Sequence, residues 1–397
     1  MRNVVIVDGV RTAIGRMGGA LKDVEVEFLA AKVMGEVVKR TGLEKEAIDQ
    51  VIWGHTKQSS DNPNVARLAA LRAGLPISVP GYTVHRQCAS GLQAINSAAQ
   101  EIMSGLSDVV LAGGAESMST APYYLRKARY GYEAGNAELV DSNTESQPRA
   151  QPMEVYGHLT MGLTAENLAV KYEISREEQD EFALASQEKA AAAISAGKFE
   201  SEIVPYELKK KKETILFMQD EHPRLTSFDK LAELKPVFKQ AGTVTAGNSS
   251  GRNDGASALL VMAEDEAIRR GLKPRMRIIA QASAGVSPEI MGIGPAPSTR
   301  KALKQAGLTL DDIDLIELNE AFAAQALACV KELCIDQKKL NVNGGAIALG
   351  HPLGGTGAIL VTKLMNELER RGGRYGLVTL CIGGGQGTTT IFENLRV

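Results

Sequence analysis

Residues 44–55 read EKEAIDQVIWGH and residues 310–322 read LDDIDLIELNEAF. Ile48-Asp49 falls on Ile313-Asp314, an offset of 313 − 48 = 265. The likeness continues outward from this pair. CASGLQAI (88–95) resembles GGTGAILV (354–361), with Ser90-Gly91 on Thr356-Gly357 at 356 − 90 = 266. DVVLAGGAES (108–117) resembles GLVTLCIGGG (376–385). Three matches in one order at nearly constant spacing indicate an internal duplication. Strand-like runs such as NVVIVDG and DQVIWGH alternate with the helical EFLAAKVMGEVVKRTG. That alternation indicates an α/β protein with a largely buried sheet.

The chain divides into two similar halves, residues 1–120 with 245–270 and residues 271–397, around a different segment at 121–244. This segment opens polar and irregular at 130–158 and turns helical at 164–199. Ser175 with Glu178 forms a capping box there. The run KKKK (209–212) reads as an exposed turn. Two halves with Gly-rich strand ends facing each other suggest a ligand site between them.

Of 397 residues, 44% are hydrophobic and the net charge is −2, so nothing favours nucleic acid or an anionic membrane as partner. Aromatics are 5% while glycines number 40, which suggests close packing of helices and strands. The four cysteines form no CxxC pair, so a reducing, cytoplasmic setting fits better than a disulfide framework. The N-terminus lacks the apolar region of a signal peptide, and no run has the length of a membrane span.

In TVHRQCASGLQAINSAAQEIM (83–103) a β-leaning run turns directly into a small-residue helix. Cys88 stands where that helix starts. Unpaired N–H groups there favour an anion, and thiolate is the reactive form of cysteine. Three loops of the second half carry further polar groups. Asn319 and Glu320 follow a strand in IELNEAFAAQ (316–325). His351 lies among six glycines in GGAIALGHPLGGTGA (344–358), and the following proline disfavours helix at His351. Cys381 ends a buried strand in LVTLCIGGGQG (377–387). By the duplication, Asn319 and His351 occur near the equivalents of Gly54 and Cys88. Two thiols, an imidazole and an amide then converge from like loops. His351 is the base that could activate a thiol, and a second thiol could serve as general acid–base. Free N–H groups at Cys88 and after Cys381 could hold an oxyanion.

Bland readings stand beside these. Cysteines are often merely buried, and Cys329 and Cys334 are read so. Histidines at ligand spacing are missing, so no metal site is expected. His55, His85, His158 and His222 read as structural. GGGQG lacks the helix and acid of a dinucleotide fingerprint.

With these residues in place, the sequence resembles the thiolase family nearly end to end. RQCASGLQA resembles the family's nucleophile loop. LNEAFAAQ, GGAIALGHPLGGTGA and CIGGGQG resemble its three C-terminal signatures. GTVTAGNSSGRNDGA (242–256) resembles its coenzyme A loop and MGLTAENLA (161–169) its loop-domain helix start. The resemblance implies a five-layered α-β-α-β-α fold from two duplicated halves with an inserted loop domain. It implies homodimers or homotetramers and ping-pong chemistry on coenzyme A thioesters, with no permanently bound cofactor. Cys88 becomes the acylated nucleophile, and His351 activates it and holds a thioester oxygen. Asn319 orients a water there, and Cys381 moves the α-carbon proton. The N–H groups of Cys88 and Gly383 form a second oxyanion site. Ser250, Ala246 and Gly247 line the pantetheine, and Arg224 approaches the adenine. Phe238, Met161, Met291 and Phe322 shape the acyl and pantetheine tunnel.

Thr160 precedes Met161 where short-chain biosynthetic members carry histidine, and His158 stands two residues earlier. Gly355-Thr356 replaces a common Ala-Ser. The expected reaction is reversible Claisen condensation of two acetyl-CoA to acetoacetyl-CoA. The alternative is a longer-chain 3-ketoacyl-CoA thiolase of β-oxidation. Other condensing enzymes of the superfamily usually replace Asn319 or Cys381. A non-catalytic acyl-CoA-binding scaffold predicts missing catalytic groups, and a thiol redox switch predicts sensitivity to oxidant.

Overall fold

Alternate residues of each central strand face opposite cores, and this divides the molecule into layers. The computed structural model describes residues 2–209 and 213–397, so most of the KKKK run lies outside the described residues. The strands of the first half are β1 (Val4–Thr12), β2 (Gln50–Gly54), β3 (Gly81–Val84), β4 (Val109–Ser117) and β5 (Asn253–Ala263). They lie in the order β3-β2-β4-β5-β1. The second half contributes β6 (Met276–Gly285), β7 (Leu315–Leu318), β8 (Tyr375–Ile382) and β9 (Gln386–Asn394). Their order is β7-β8-β9-β6, and a parallel bridge from Ile316 to Leu340 extends that edge as β3 does in the first half. The two sheets join where Val5 and Ile6 of β1 pair with Arg277 and Met276 of β6.

Register repeats as well as order. Gln50 pairs with Val110, and Leu315 pairs with Gly376. The first offset, 315 − 50 = 265, is that of the sequence match, whereas the second, 376 − 110 = 266, differs by two residues from the 376 − 108 = 268 at which DVVLAGGAES matches GLVTLCIGGG.

In β4, Val109, Leu111 and Ala115 enter one core while Val110 and Ala112 enter another. This is the two-residue period of a sheet covered on both faces. The outer core of the first half packs against α1 (Val26–Thr41) and α2 (Val65–Arg72). Between the sheets lie α3 (Ser90–Ser104) and α8 (Leu353–Arg371), their apolar faces joined to both. On the far face of the second sheet lie α6 (Pro295–Ala306) and α7 (Ala323–Leu333). The result is a five-layered α-β-α-β-α sandwich, the thiolase fold.

Glycine brings the two central helices together. A Cβ at Gly91 would stand 2.8 Å from the Gly354 oxygen, and one at Gly357 would stand 2.3 Å from the Leu92 nitrogen. The helix starts therefore touch backbone to backbone, which places Cys88 and His351 near each other.

The chain between β4 and β5 lies mostly outside the sheets. Among the described residues of this segment, Ile203 and Val204 alone join them, paired with β1. It holds α4 (Met161–Lys171) and α5 (Arg176–Ser195), and Ser175 and Glu178 make both hydrogen bonds of the capping box. An antiparallel pair, Tyr123–Leu125 with Leu139–Asp141, projects exposed apolar side chains. Among the described residues no helix is long and apolar enough to cross a membrane.

Candidate active site

The turn into α3 is tight. Gln87 takes a left-handed φ of 47°, uncommon outside glycine. The Ser90 hydroxyl ties the turn by donating to the Gln87 oxygen at 2.7 Å and accepting from Arg86 N–H at 2.8 Å. Cys88, only 9% exposed, is thereby presented to a cavity of about 180 Å³. Burial pushes its thiol up to about 11, although the N–H groups of Gly383 and of Cys88 itself pull the other way. Desolvation thus outweighs the helix start, and the resting group is a thiol that needs a base.

His351 supplies one. Its backbone N–H donates to Asn253 Oδ1 at 2.9 Å. The preceding Gly350 has φ +105°, and a Cβ there would stand 2.5 Å from the Asn253 side chain, so only glycine fits. The Thr356 hydroxyl donates to the Pro352 oxygen at 2.9 Å and lies 2.6 Å from His351 Nδ1. Nδ1 therefore carries the proton and donates, leaving Nε2 free to accept. Burial lowers the imidazole to about 4, with Glu116 opposing, so it is neutral at physiological pH and keeps the Nε2 lone pair free.

Asn319 follows β7, its N–H bonded to the Thr379 oxygen at 3.0 Å. Its Nδ2 lies 3.4 Å from His351 Nε2, and its Oδ1 is buried without a partner. Cys381 is fully buried in β8, in an apolar cluster with Met291, Ala321 and Phe322. Those three line the cavity, so Cys381 lies beneath its wall. Burial raises this thiol well above its usual value, and the charge of Cys88 adds to the rise.

The cavity is also lined by Met161, Phe238, Ser250, His351 and Gly383. Phe238 meets Phe322 edge to face at 5.8 Å. The structure thus gathers Cys88, His351, Asn319, Cys381, Gly383, Ser250, Phe238, Met161, Met291 and Phe322. It does not bring three other residues to the cavity. Ala246 is exposed, and Gly247 is buried near Leu231 and Leu234. Arg224 borders a separate cavity with Gln187 and Leu225, its N–H bonded to Gln187 Oε1. His158 is exposed, and Thr160 caps α4 through Leu163 N–H. Cys334, read as buried, is exposed instead: it follows the last turn of α7 in a left-handed conformation.

Sequence reasoning missed the group that joins the halves. Glu116 of β4 accepts from the His55 imidazole (2.9 Å), the Thr56 hydroxyl (2.5 Å), Thr56 N–H, Lys57 N–H and Gly354 N–H (2.8 Å). Burial would raise this carboxyl, but His55 and these donors hold it at about 2. The strand register sets the equivalent of Glu116 at 116 + 266 = 382, beside Cys381, whereas the sequence match sets it at 116 + 268 = 384. Also missed were Asn143, Ser146, Gln147 and Arg252, which form a polar wall of the cavity.

Models of the thiolase N-terminal and C-terminal domains match residues 4–265 and 272–394. An acetyl-CoA acetyltransferase of Syntrophomonas wolfei is 48% identical, over 99% of this chain and 100% of its own length. The crystal structure of the Bacillus anthracis acetyl-CoA acetyltransferase is 50% identical with a TM-score of 0.97, covering 100% of this chain and 99% of that one. Human mitochondrial 3-ketoacyl-CoA thiolase in complex with CoA is 45% identical with a TM-score of 0.93, covering 99% of this chain and 98% of that one. On its sequence, its fold and its relatives, this chain belongs to the thiolase family and is an acyltransferase.

Proposed function

We propose that the chain condenses two acetyl-CoA to acetoacetyl-CoA and CoA, and runs the reverse thiolysis, through an acyl-Cys88 intermediate. The observation that carries this reading is the unprotonated Nε2 of His351, on the cavity that Cys88 lines, with a second thiol beneath the wall. Cys88 attacks the thioester carbonyl while its proton passes to His351 Nε2. The departing CoA thiolate takes the proton of Cys381. A second acetyl-CoA then enters, and the Cys381 thiolate removes its α-proton. The enolate attacks acetyl-Cys88, and the expelled thiolate recovers its proton from His351.

Each oxyanion in this scheme has donors at hand. Asn319 and His351 serve the thioester oxygen of the enolising substrate. The N–H groups of Cys88 and Gly383 serve the oxygen of the acyl group on sulfur, where each such donor is worth roughly 3 kcal/mol. Ser250 lies on the cavity wall where pantetheine would pass, and Met161, Phe238, Met291 and Phe322 form its apolar side. CoA thioesters are substrates in this reading, and no resident cofactor is required. The two sheets and the segment between them support a division into 1–120 with 245–270, 121–244 and 271–397. Exposed Tyr123, Tyr130 and Leu139 (64%, 94% and 65%) support self-association through the projecting hairpin. Four free cysteines support a reducing, cytoplasmic setting.

Thiolysis measured across 3-oxoacyl-CoA chain lengths tests the reading. Turnover greatest with acetoacetyl-CoA and absent in Cys88→Ala is expected. Turnover only of long chains favours the β-oxidation alternative, and full activity in Cys88→Ala contradicts both.

A further inference from the structure

We infer that Glu320 is the positioning residue that sets Asn319 against His351, and so builds the oxyanion site those two form; this rests on the acyl-transfer reading above. Asn319 has little side-chain tether of its own. Its Nδ2 meets His351 Nε2 at 3.4 Å, and its Oδ1 is buried without a partner. The amide therefore goes where its backbone puts it. That backbone is tied through its N–H to the Thr379 oxygen, and the next residue in the chain is Glu320, 1% exposed.

The Glu320 carboxylate collects donors from three separate segments. Oε1 accepts from Asn341 Nδ2 at 2.7 Å, and Oε2 accepts from the Ser186 hydroxyl at 2.7 Å and from Ile347 N–H at 3.2 Å. Asn341 is itself fixed on β7. Its Oδ1 accepts from Leu318 N–H and its Nδ2 also donates to the Leu318 oxygen, both at 2.9 Å. Ser186 of α5 accepts from Gly345 N–H at 3.0 Å, so its one proton goes to Glu320. Gly345 and Ile347 lie in the stretch that ends at Gly350 and His351. A Cβ at Gly345 would stand 2.1 Å from the Glu320 carboxyl carbon, so glycine lets the two loops touch. One carboxylate thus holds the Asn319 loop against the His351 loop and fastens both to α5.

Packing alone does not call for a carboxylate here. Among the described residues no Lys, Arg or His forms an ion pair with Glu320. Lys363 favours its charge from farther off, but is paired with Glu317 at 2.9 Å and donates to the Gly344 oxygen at 2.8 Å. Burial penalises the anion, and the three hydrogen bonds oppose that penalty. All three partners donate, so both oxygens must accept. A glutamine would turn its own N–H groups toward one of these donors, and Asn341 cannot rotate to meet them because Leu318 holds both ends of its amide. The same position in the first half, 320 − 265 = 55, is His55 of the Glu116 pair. Both halves therefore fasten the strand end beside the site with a buried titratable group.

Glu320→Gln in the full chain tests this, with turnover counted per acetylatable site. Mass spectrometry after long incubation with acetyl-CoA gives the fraction of chains acetylated on Cys88, and acetoacetyl-CoA thiolysis gives kcat and KM. For each acetylatable Cys88, kcat is expected to fall about thirtyfold, with KM changed less than about threefold. Deuterium exchange at the α-carbon of acetyl-CoA, which needs the Asn319–His351 site, is expected to fall by the same factor. Alkylation of Cys88 by iodoacetamide does not need that site and is expected to stay near the wild-type rate. Ser186→Ala removes one donor and is expected to show the same pattern at about fivefold; should Glu320→Gln not fold, it carries the test. An unchanged kcat per acetylatable site in the folded variant, or exchange and alkylation falling together, overturns the inference while wild-type thiolysis leaves the acyl-transfer reading standing. A wild type that takes no acetyl group on Cys88 overturns both.

Discussion

β2 ends at Gly54 and the chain continues His55-Thr56-Lys57, and after β7, at the same place in the second half, it continues Asn319-Glu320. Ala115 in β4 and Cys381 in β8 are likewise one position seen twice, since 381 − 115 = 266. The next residue is Glu116 in one half and Ile382 in the other. In the first half these strand ends form a clamp, in which Glu116 binds His55, Thr56, Lys57 and the first turn of α8. In the second half the same strand ends carry an amide and a thiol beside the cavity. Duplication fixes where the backbone goes, and the side chains placed there decide whether a strand end holds the site together or does its chemistry. Neither half is a site alone, because the thiol comes from one and the imidazole from the other.

The comparison breaks most severely at His351. His351→Ala removes the group that takes the Cys88 proton in one half-reaction and returns it in the other, and turnover is expected to fall about 10³- to 10⁴-fold in a steady-state thiolysis assay. On the clamp side, Glu116→Gln breaks a buried ion pair and leaves His55 without its counter-charge. A stability loss of roughly 3 kcal/mol in denaturant unfolding is expected, with turnover reduced about a hundredfold through displacement of α8. If Glu116→Gln costs stability but leaves turnover intact, the clamp does not position the site.

Smaller changes sharpen the contrast. Thr356→Val removes the hydroxyl that fixes the His351 tautomer, so kcat is expected to fall about tenfold with KM little changed, and Thr356→Ser to restore it. The last contrast is one of pH, in the reactivity of Cys88 without substrate. With the Cys88 thiol held near 11, its thiolate fraction in the free enzyme rises as pH rises toward that value. Alkylation by iodoacetamide is therefore expected to quicken about tenfold per unit between about pH 7 and about pH 10. A plateau already reached near neutral pH would show that the N–H groups at Sγ outweigh burial.

Much of this was legible in the sequence because it repeats or is local. The constant offset near 265 anticipated both strand order and register, and Ser175 with Glu178 anticipated a helix start. The Gly-rich loops around Cys88, His351 and Cys381 pointed to one cavity. What stayed hidden was contact between remote segments. Glu116 reaches Gly354 across 238 positions, and Asn253 holds His351 across 98. Such pairs leave no periodicity in a single chain. Lys57 was invisible for a related reason: a lysine in a polar loop reads as solvated until packing buries it.

The central claim is that the thiol of the first half takes the acyl group while that of the second moves a proton. Peptide mass mapping after rapid quenching with acetyl-CoA tests it most directly, on the wild type, Cys88→Ala and Cys381→Ala. One acetyl group on Cys88 in the wild type and in Cys381→Ala, and none in Cys88→Ala, is the predicted result. Acetyl on Cys381, or an adduct that persists in Cys88→Ala, would contradict the account.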